Sequence, residues 1–298
     1  MKFDVTTMKR KKIKICYIVS SLCNEGPVNV MYNIIKHIDF DRFNVSIITL
    51  IPEKPTTRIS DFIQLPVSIY QISSNKKITP FLLFLKLRDE VAKIKPDILH
   101  SHCPRSLFLT SMLGSKYKKI YTVHHNPKPQ QIALYGRIRG RITAKACNFF
   151  MLKTDLPVAC SKSVSKQFKE IKGWDIKAID NGCSFPVWQK NTNQKKEIKK
   201  KLGLKEGIKY LIFIGRFSSE KKPEFLIKSF KKANNNSLGL LMLGKGPLLK
   251  NLKHYETDLI RLEGYRTNIY EYLIASDYYV SSSEIEGLAN TLLEAMSV

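Results

Sequence analysis

Charged residues that follow a predicted strand are the first candidates for chemistry in this sequence. In FIGRFSSEKKPEF, Gly215 ends a strand, Arg216 follows it, and Lys221 comes shortly before a helix that begins at Pro223. Backbone N–H groups and the positive end of a helix attract anions at such a turn. An Arg holds an anion with two hydrogen bonds, and a Lys holds it as a point charge. The pattern predicts a diphosphate site; two solvated surface charges are the alternative.

Two glutamates stand eight residues apart in SEIEGLANTLLEAM, with Glu286 in a loop and Glu294 in the helix that follows. Eight residues of helix span about 12 Å, so these carboxylates cannot share a proton as a close acid–base pair. A carboxylate accepts hydrogen bonds from two vicinal hydroxyls, so the pair could hold two parts of one extended ligand, such as a sugar and a ribose. Complementing the helix dipole is the alternative, and it explains Glu286 better than Glu294.

A short glycine motif follows another predicted strand in LMLGKGPLL, where Gly244 and Gly246 precede a proline. Glycines at such a turn let the backbone approach a ligand, or they simply allow a tight turn. The motif is short, and a tight turn is the favoured interpretation.

Four histidines stand at the ends of two predicted strands, His100 and His102 in ILHSHC and His124 and His125 in YTVHHNP. This is the edge at which α/β sheets bind ligands. No carboxylate or suitably spaced cysteine accompanies them, so a metal site is disfavoured. Polar contacts to a substrate are preferred, and hydrogen-bonded structural histidines are the alternative.

The elements that must position these residues alternate between short β-branched runs and amphipathic stretches, which predicts βαβ units with parallel sheets. One predicted helix, 28–38, carries Val28, Met31, Ile34 and Ile35 on its inner face, and another, 80–94, carries Leu83, Phe84, Leu87 and Val91. The predicted strands are 12–20, 44–51, 67–72, 97–101, 119–125, 157–161, 176–180, 209–215, 238–244, 259–264 and 277–282.

A polar stretch without helix caps, 188–201, interrupts this alternation and is the best candidate for a domain boundary. We therefore predict a first Rossmann-like domain over 1–187, a linker over 188–201 and a second Rossmann-like domain over 202–298. Two such domains suggest a cleft between them. The predicted fold class is α/β.

Composition narrows the function classes. The 298 residues contain fifty Lys and Arg against twenty-five Asp and Glu, a formal net charge of +25 that favours anionic partners. No nucleic-acid-binding motif accompanies this charge, so we expect no nucleic acid partner but consider an anionic membrane surface plausible. The six scattered cysteines are typical of reduced thiols in a cytosolic protein, and no apolar run is long enough to span a membrane.

The glutamate pair is also where the sequence resembles a known family. EGLANTLLEAM resembles the E-x7-E motif of the retaining GT-B glycosyltransferases of family four, and FIGRFSSEKK resembles that family's Gly-Arg…Lys motif. The segments LMLGKGP, AIDNGCSF, NEGPVNVMYNIIKHID, VACSKSV and TVHHN resemble further motifs of the family, in the expected order. The resemblance covers nearly the whole chain and implies the GT-B fold, with two Rossmann-like domains facing a cleft.

The resemblance implies transfer of a sugar from a nucleoside diphosphate, UDP or GDP, to an acceptor hydroxyl with retention at the anomeric carbon. Arg216 and Lys221 would stabilise the charge of the departing diphosphate, and His124 would face the reacting sugar. Glu286 would hold the transferred sugar and Glu294 the ribose. Because two cations replace a metal, neither a metal ion nor another cofactor is expected. The residues implied to contact the donor are Gly26, Gly215, Arg216, Lys221, Gly244, Gly246, Glu286, Gly287, Leu288, Asn290 and Glu294.

The sequence departs from the family pattern in several places. The usual double glycine of the first loop is Glu25-Gly26, the usual Asn-Gly-Val-Asp is Asn-Gly-Cys-Ser, and the glycine that normally follows the phosphate-binding Lys is Lys222. Family members continue beyond the LLEAM helix, so we expect an incomplete second domain, which leaves the activity of this chain open.

The acceptor is expected to be a glycan or a lipid-linked glycan of a bacterial surface polysaccharide, such as capsule, O-antigen or lipopolysaccharide. We expect a cytoplasmic protein and leave open a peripheral association with the inner face of the plasma membrane. Three alternatives remain. These are an inactive chain that binds nucleotide or polyanion, a GT-B sugar-nucleotide epimerase, and a GT-A transferase with a metal at Asp39-Phe40-Asp41. The last is disfavoured because this motif lies at the amino end of a predicted strand.

Overall fold

The computed structural model describes residues 11–75, 77–184 and 192–298. The chain forms two compact units. Unit 1 comprises Met1–Lys128 and Arg141–Gly182, and unit 2 comprises Pro129–Gly140 and Cys183–Val298. Each unit contains its own parallel sheet, as the alternation of strand and helix patterns predicted.

Unit 1 is built on a seven-stranded sheet in the order β3-β2-β1-β4-β5-β6-β7, in which all neighbouring strands are parallel. The strands run nearly as predicted, although β7 is much shorter than the run 176–180. Their bounds are β1 Ile13–Val19, β2 Phe43–Thr49, β3 Val67–Gln71, β4 Ile98–Ser101, β5 Lys118–Val123, β6 Leu156–Ala159 and β7 Lys177–Ala178.

The helices of unit 1 cover this sheet with apolar side chains. In one of them, α3, the side chain of Thr79 caps the N-terminus by accepting a hydrogen bond from Leu82 N. The predicted inner residues Leu83, Leu87 and Val91 are buried there against β1 and β4. The helices are α1 Gly26–Lys36, α2 Ile59–Ile63, α3 Pro80–Ile94, α4 Pro104–Ser111 and α7 Lys162–Lys172; α5 Pro127–Tyr135 and α6 Arg137–Met151 contain residues of both units.

One predicted core position was wrong. Ile34 was assigned to the inner face of α1, but 39% of its surface is exposed, while Val28, Met31 and Ile35 are buried. Adjacent residues lie about 100° apart around a helix, so Ile35 and Ile34 cannot both point at the sheet. Ile35 takes the inward position because it continues the spacing of Val28 and Met31.

Unit 2 is built on a four-stranded parallel sheet in the order β10-β9-β8-β11. The last strand is shorter than the predicted run 277–282, because its ladder with β8 ends at Tyr279 and the chain continues as a loop. The strands are β8 Lys209–Ile214, β9 Leu238–Leu243, β10 Ile260–Gly264 and β11 Tyr278–Tyr279. The helices are α8 Thr192–Lys201, α9 Pro223–Ala233, α10 Leu249–Leu252, α11 Ile269–Ala275 and α12 Asn290–Met296, with short 3₁₀ turns at Ser219–Lys221 and Lys253–Tyr255.

The segment predicted as a linker, 188–201, is partly helical. Residues 192–201 form α8, and Ile198 packs against the core of unit 2. Asp277 binds Lys195 at 2.9 Å and Lys199 at 3.3 Å, so part of the basic cluster stabilises the attachment of α8 to unit 2. Residues 188–191 lie outside the described residues.

Both sheets have a topological switch point, where the chain stops adding strands on one side and continues on the other. It lies between β1 and β4 in unit 1 and between β8 and β11 in unit 2. Open α/β sheets bind ligands at the carboxyl ends of the strands beside this point. The candidate residues should therefore be sought at these two edges. In the ranges that the structure covers, no helix is both long and apolar enough to span a bilayer.

Candidate functional site

Three loops follow β8, β9 and β11 at the carboxyl edge of the unit 2 sheet. We call residues 215–222, 244–248 and 280–289 the charged loop cluster. The order of the strands makes the loops after β8 and β11 neighbours, so the switch point of unit 2 lies between them. Among the predicted residues, this cluster holds Gly215, Arg216, Lys221, Gly244, Gly246, Glu286, Gly287 and Leu288.

The Lys221 ammonium and the Glu286 carboxylate form an ion pair across these two loops. A second ion pair lies beside it, between Lys222 Nζ and Glu284 Oε1 at 2.7 Å. The backbone reinforces them, because Glu284 N donates to Glu220 O at 2.9 Å. Sequence motifs 65 residues apart are thus brought into direct contact.

Three residues that hold this arrangement were missed by the sequence analysis. Ser282 Oγ donates to the carbonyl oxygens of Lys221 at 2.7 Å and Lys222 at 3.0 Å. Together with Glu284, Ser282 and Lys222 join the loop after β8 to the loop after β11. Only the departure of Lys222 from the family glycine marked one of them in the sequence.

Arg216 extends from the same edge into solvent. Its side chain is exposed and makes no hydrogen bond or ion pair with the part of the chain that the structure describes. The exposed Lys245 of the neighbouring loop adds a second cation and lies 4.6 Å from the centre of the Tyr265 ring. Because Lys221 and Lys222 are paired, Arg216 and Lys245 supply the excess positive charge with which this edge would attract an anion.

The glycines of the cluster are explained by close contact between two backbones. A Cβ atom on Gly244, whose φ is +140°, would overlap with the carbonyl oxygen of Gly215. A Cβ atom on Gly246 would overlap with the backbone of Phe217. The Phe217 N–H donates to Lys245 O at 3.0 Å, and Gly215 N donates to Leu243 O at 3.0 Å. These glycines therefore allow the loops after β8 and β9 to pack backbone against backbone.

Asn290 and Glu294 lie on α12, directly after the third loop of the cluster. Glu294 is partly buried and lies close enough to Tyr270 and Cys183 to act on them electrostatically. Burial raises the pKa of Tyr270 to about 12, and the negative charges of Glu294 and Cys183 act in the same direction. The Tyr270 hydroxyl donates to Ser184 O at 2.8 Å, so the segment at Cys183 adjoins this end of the site.

The other predicted residues belong to unit 1, where three histidines form what we call the histidine cluster: His100, His102 and His124. The ring centres are 4.4 Å apart for His100 and His102 and 5.5 Å apart for His102 and His124. His100 is the last residue but one of β4, His102 follows β4 and His124 follows β5, near the switch point of unit 1. The structure thus brings the two strand ends that carry these histidines together at one edge of the sheet.

His102 is buried, His100 and His124 are partly buried, and the three rings are uncharged at neutral pH. Burial lowers the pKa of His100 and of His124 to about 3, and it lowers the pKa of His102 well below the usual value. His100 Nε2 lies 2.8 Å from Thr122 Oγ1. Neither ring nitrogen of His102, nor Nε2 of His124, has a hydrogen-bond partner among the residues described. Buried nitrogens without partners are rare in native proteins and are candidates for contact with a ligand.

Two more sequence motifs fall in unit 1. Gly26 is the first residue of α1, and no atom lies within 4 Å of where its Cβ would be. Asp39 and Asp41 lie in the turn between α1 and β2, where Asp41 N donates to Asp39 Oδ1 at 2.9 Å. This turn is at the amino end of β2, as predicted when a metal site there was disfavoured. No group of three or more His, Cys, Asp or Glu suited to a metal ion is found within residues 11–75, 77–184 and 192–298.

Comparison with known families places the chain among glycosyltransferases. The profile described as "Glycosyltransferase Family 4" matches residues 25–184, which is more than half of the chain. The profile described as "Glycosyl transferases group 1" matches residues 194–298, which contain the charged loop cluster.

Two curated relatives illustrate the similarity. The chain is 24% identical over 303 residues to UDP-Gal:alpha-D-GlcNAc-diphosphoundecaprenol alpha-1,3-galactosyltransferase of Escherichia coli, covering 96% of the chain and 77% of that protein. It is 28% identical over 227 residues to N-acetyl-alpha-D-glucosaminyl L-malate synthase of Bacillus anthracis, covering 71% of the chain and 57% of that protein. The match thus spans little more than half the length of the second relative.

Solved structures share the fold at low sequence identity. Anabaena HepE, crystallised in complex with UDP-glucose, has a TM-score of 0.77 and 17% identity, with 96% of this chain and 78% of that chain covered. WaaG, a glycosyltransferase involved in lipopolysaccharide biosynthesis, has a TM-score of 0.70 and 12% identity, with 95% and 78% covered.

Proposed function

The chain belongs to glycosyltransferase family 4 and has the GT-B fold, and from this premise we propose that it transfers a sugar, with retention, from a nucleoside diphosphate to an acceptor hydroxyl. The observation that carries the proposal is the charged loop cluster at the switch point of unit 2. There Lys221 is paired with Glu286 across two adjoining loops, and Arg216 lies exposed on the first of these loops, within the region matched by the group 1 profile.

The chemistry of these residues suits a departing diphosphate. Breaking the bond between sugar and phosphate places negative charge on the phosphate oxygens, and fixed cations at that position lower the barrier. Arg216 offers a planar pair of donors, and Lys221 offers a point charge. In the proposed reaction, Lys221 exchanges its contact with Glu286 for the diphosphate, which frees the carboxylate to accept hydrogen bonds from sugar hydroxyls.

The remaining roles follow the same assignment. Glu294 binds the ribose hydroxyls, and the glycine turns at Gly215, Gly244 and Gly246 shape the loops around the phosphates. Gly287, Leu288 and Asn290 line the donor site in unit 2. For Gly26 and His124, at the carboxyl edge of the unit 1 sheet, we propose ligand contacts, with His124 assigned to the transferred sugar. The buried Nε2 atom of His124, which lacks a partner among the residues described, supports a polar contact with a ligand there. The two cations perform the role of a metal, so no divalent ion is required.

For the acceptor, we propose a glycan or lipid-linked glycan of a bacterial surface polysaccharide. The names of the relatives support this choice: the Escherichia coli protein is named for an undecaprenol-linked acceptor, and a Streptococcus pneumoniae relative is an alpha-monoglucosyldiacylglycerol synthase. The latter is 24% identical over 227 residues, and the match covers 52% of its length.

A donor panel tests the proposal. The chain is incubated with UDP- and GDP-linked sugars, and binding is measured by calorimetry and turnover by nucleoside diphosphate release. We expect one donor to bind, and Arg216→Ala to lower turnover about a hundredfold or more, because a cation facing the developing charge is lost. Lys232→Ala, an exposed Lys on α9 outside the cluster, is the matched control and should leave turnover unchanged.

Three outcomes would contradict the proposal. Turnover that disappears in EDTA and returns with Mg²⁺ would overturn the metal-independent mechanism. Epimerisation of the donor sugar without an acceptor would identify an epimerase instead. Binding of a donor without any turnover across a panel of acceptors would favour the alternative of a nucleotide-binding chain.

A further inference from the structure

Two consecutive lysines on the loop after β8 bind two glutamates on the loop after β11. Lys221 pairs with Glu286, and Lys222 Nζ lies 2.7 Å from Glu284 Oε1. The two ion pairs are separate, because each lysine has its own glutamate partner. Lys221 and Glu286 have roles in the proposed binding of the donor, so the second ion pair needs a reason of its own.

Lys222 occupies the junction between the 3₁₀ turn Ser219–Lys221 and helix α9, where its φ is 46°. Its N–H donates to Ser219 O at 3.3 Å, and its carbonyl oxygen accepts from Leu226 N at 3.3 Å. The same carbonyl oxygen accepts from Ser282 Oγ at 3.0 Å, across the gap between the loops. The backbone of Lys222 is thus held from both loops, and its side chain extends from a fixed point.

Glu284 is attached to the same region through its backbone. Its N–H donates to Glu220 O at 2.9 Å, within the 3₁₀ turn that ends at Lys221. One residue of the loop after β11 therefore contacts the loop after β8 twice, once through its backbone and once through its carboxylate. We call the Lys222–Glu284 ion pair together with this backbone hydrogen bond the loop clasp.

The loop clasp involves neither side chain of the first ion pair. In the proposed reaction, Lys221 exchanges its contact with Glu286 for the diphosphate, which removes one of the two ion pairs between the loops. The clasp is unaffected by this exchange, so it still joins the loops when both of them must contact the same ligand. Loops that are already joined lose less conformational entropy on binding, and the affinity for the ligand is higher.

We propose that Lys222 and Glu284 are positioning residues for the sugar donor. Their ion pair raises the affinity for the donor, because it keeps the two loops joined while the first ion pair opens. This rests on the proposed function, which places the donor at these loops. A glycine at position 222, as in the family pattern, would allow the left-handed backbone but would provide no side chain for the clasp. The clasp is therefore a property of this sequence and not of the family pattern.

Nucleotide binding to the full chain tests the proposal, because one variant should respond against simple charge attraction. Glu284→Gln removes a negative charge from an edge that binds an anion, so attraction alone predicts tighter binding. Loss of the clasp predicts weaker binding. Calorimetry with UDP and with GDP should show an affinity about three- to fivefold lower for Glu284→Gln than for the unmodified chain, since an ion pair this exposed is weak.

Variants of Lys222 separate the ion pair from the charge. Lys222→Met should weaken binding by about the same factor, whereas Lys222→Arg, which retains the pair, should change it less than about twofold. Lys222→Glu alone opposes two carboxylates and should weaken binding about tenfold, and adding Glu284→Lys should restore most of the affinity. In turnover, the donor KM should rise in the weakened variants while kcat stays within about twofold, because the cations that face the developing charge are unchanged.

The matched control is Glu224→Gln, which breaks a similar ion pair elsewhere in unit 2. Glu224 Oε1 lies 2.8 Å from Lys228 Nζ, and the two side chains are 50% and 62% exposed. Both residues lie on α9, so this pair joins no loops and the affinity should change less than about twofold. Urea unfolding of each variant establishes that it is folded.

Hydrogen exchange without any ligand tests the clasp separately from the enzymatic function. The amide of residue 284 donates to Glu220 O, so opening of the clasp exposes it to solvent. Relative to its intrinsic rate, this amide should exchange about three- to fivefold faster in Glu284→Gln and in Lys222→Met. The charge-swapped double variant should return towards the rate of the unmodified chain.

Equal or tighter nucleotide binding by Glu284→Gln would overturn the proposal, and so would unchanged exchange at residue 284. A kcat that falls while the donor KM stays constant would also overturn it, because the pair would then act on the reaction and not on donor affinity. If the unmodified chain binds neither UDP nor GDP, the proposed function is contradicted, and the role of the clasp with it. Nucleotide binding that is equal in the unmodified chain and all variants contradicts the role of the clasp alone.

Discussion

The carboxyl edges of the two sheets occupy equivalent positions in similar topologies, but the edge of unit 2 carries charged groups and the edge of unit 1 carries neutral ones. In unit 2 the edge carries ionised groups that are paired with one another near the surface, as in Lys221 with Glu286. In unit 1 it carries three buried or partly buried imidazoles that desolvation keeps neutral. Charged groups near the surface keep contact with solvent, whereas the imidazoles are neutral because protonation inside the fold is unfavourable. The two edges should therefore respond differently to pH and to substitution.

Acid should destabilise unit 1 before unit 2. His100 and His124 have a folded pKa of about 3 against an ordinary 6.5, so the unfolded state binds more protons between these values. Stability from these groups is complete above pH 6.5 and is lost as the pH falls towards 3. At pH 5 the loss is about 2 kcal/mol for each imidazole.

Unit 2 provides the comparison. Burial alone would raise the pKa of Asp277, but hydrogen bonds and ion pairs from Lys195, Lys199 and Tyr210 N outweigh it and lower that pKa. The stabilisation that Asp277 contributes is therefore retained between pH 7 and 5 and is lost only below the ordinary carboxyl pKa. Urea unfolding at both pH values would be followed by Trp174, which stacks on Phe168 in unit 1, in a Trp188→Phe background. The reporter for unit 2 is Phe230→Trp, because Phe230 packs against the core of that unit. In this variant both native tryptophans are replaced by Phe. Equal losses of stability in the two units between pH 7 and pH 5 would contradict the prediction that the histidine cluster makes unit 1 the more sensitive to acid.

This contrast also marks what the sequence could predict. The spacing of Arg216, Lys221, Glu286 and Glu294 along the chain indicated a site, because charged residues after strands have few structural reasons to recur there. The histidine pairs indicated only a strand edge. Whether an imidazole is buried or exposed depends on the side chains that the neighbouring strand places around it. This is not local information, because β4 and β5 pair through residues about twenty positions apart in sequence. Likewise, nothing local in the sequence placed Ser282 against the carbonyl groups of Lys221 and Lys222.

The next comparison concerns glycine, because each of the two sheet edges contains a glycine that was predicted to contact the sugar donor. Gly244→Ala in unit 2 should lower the free energy of unfolding by about 3 kcal/mol, since the methyl group meets the Gly215 carbonyl and the backbone has φ of +140°. Gly26→Ala in unit 1 should change it by less than about 0.5 kcal/mol, because the added methyl meets nothing.

Urea unfolding with the two tryptophan reporters measures both effects. If the two variants are equally stable, the close contact between the loops after β8 and β9 is not a feature of the protein in solution. If Gly26→Ala abolishes donor binding while stability is unchanged, its role is contact with the ligand and not folding.

The smallest expected effect concerns Lys222, which stands where the family pattern has a glycine. Its φ of 46° and ψ of 49° place it in the left-handed region, which costs an L-residue with a side chain about 1 kcal/mol relative to glycine. The side chain recovers part of this through its ion pair with Glu284, whose two partners are 43% and 59% exposed. An ion pair that exposed is worth at most about 1 kcal/mol and usually less.

Replacing Lys222 by Gly and by Ala separates these two contributions. Both variants lose the ion pair, but only Lys222→Gly relieves the backbone, so it should be about 1 kcal/mol more stable than Lys222→Ala in urea unfolding of unit 2. Lys222→Ala should in turn lie a few tenths of a kcal/mol below the unmodified chain. Raising the salt concentration should reduce that second difference and leave the first unchanged, because salt screens the ion pair but not the backbone strain. Equal stability of the Gly and Ala variants would mean that residue 222 leaves the left-handed region in solution. The ion pair, and not the turn, would then hold the loop that carries Lys221.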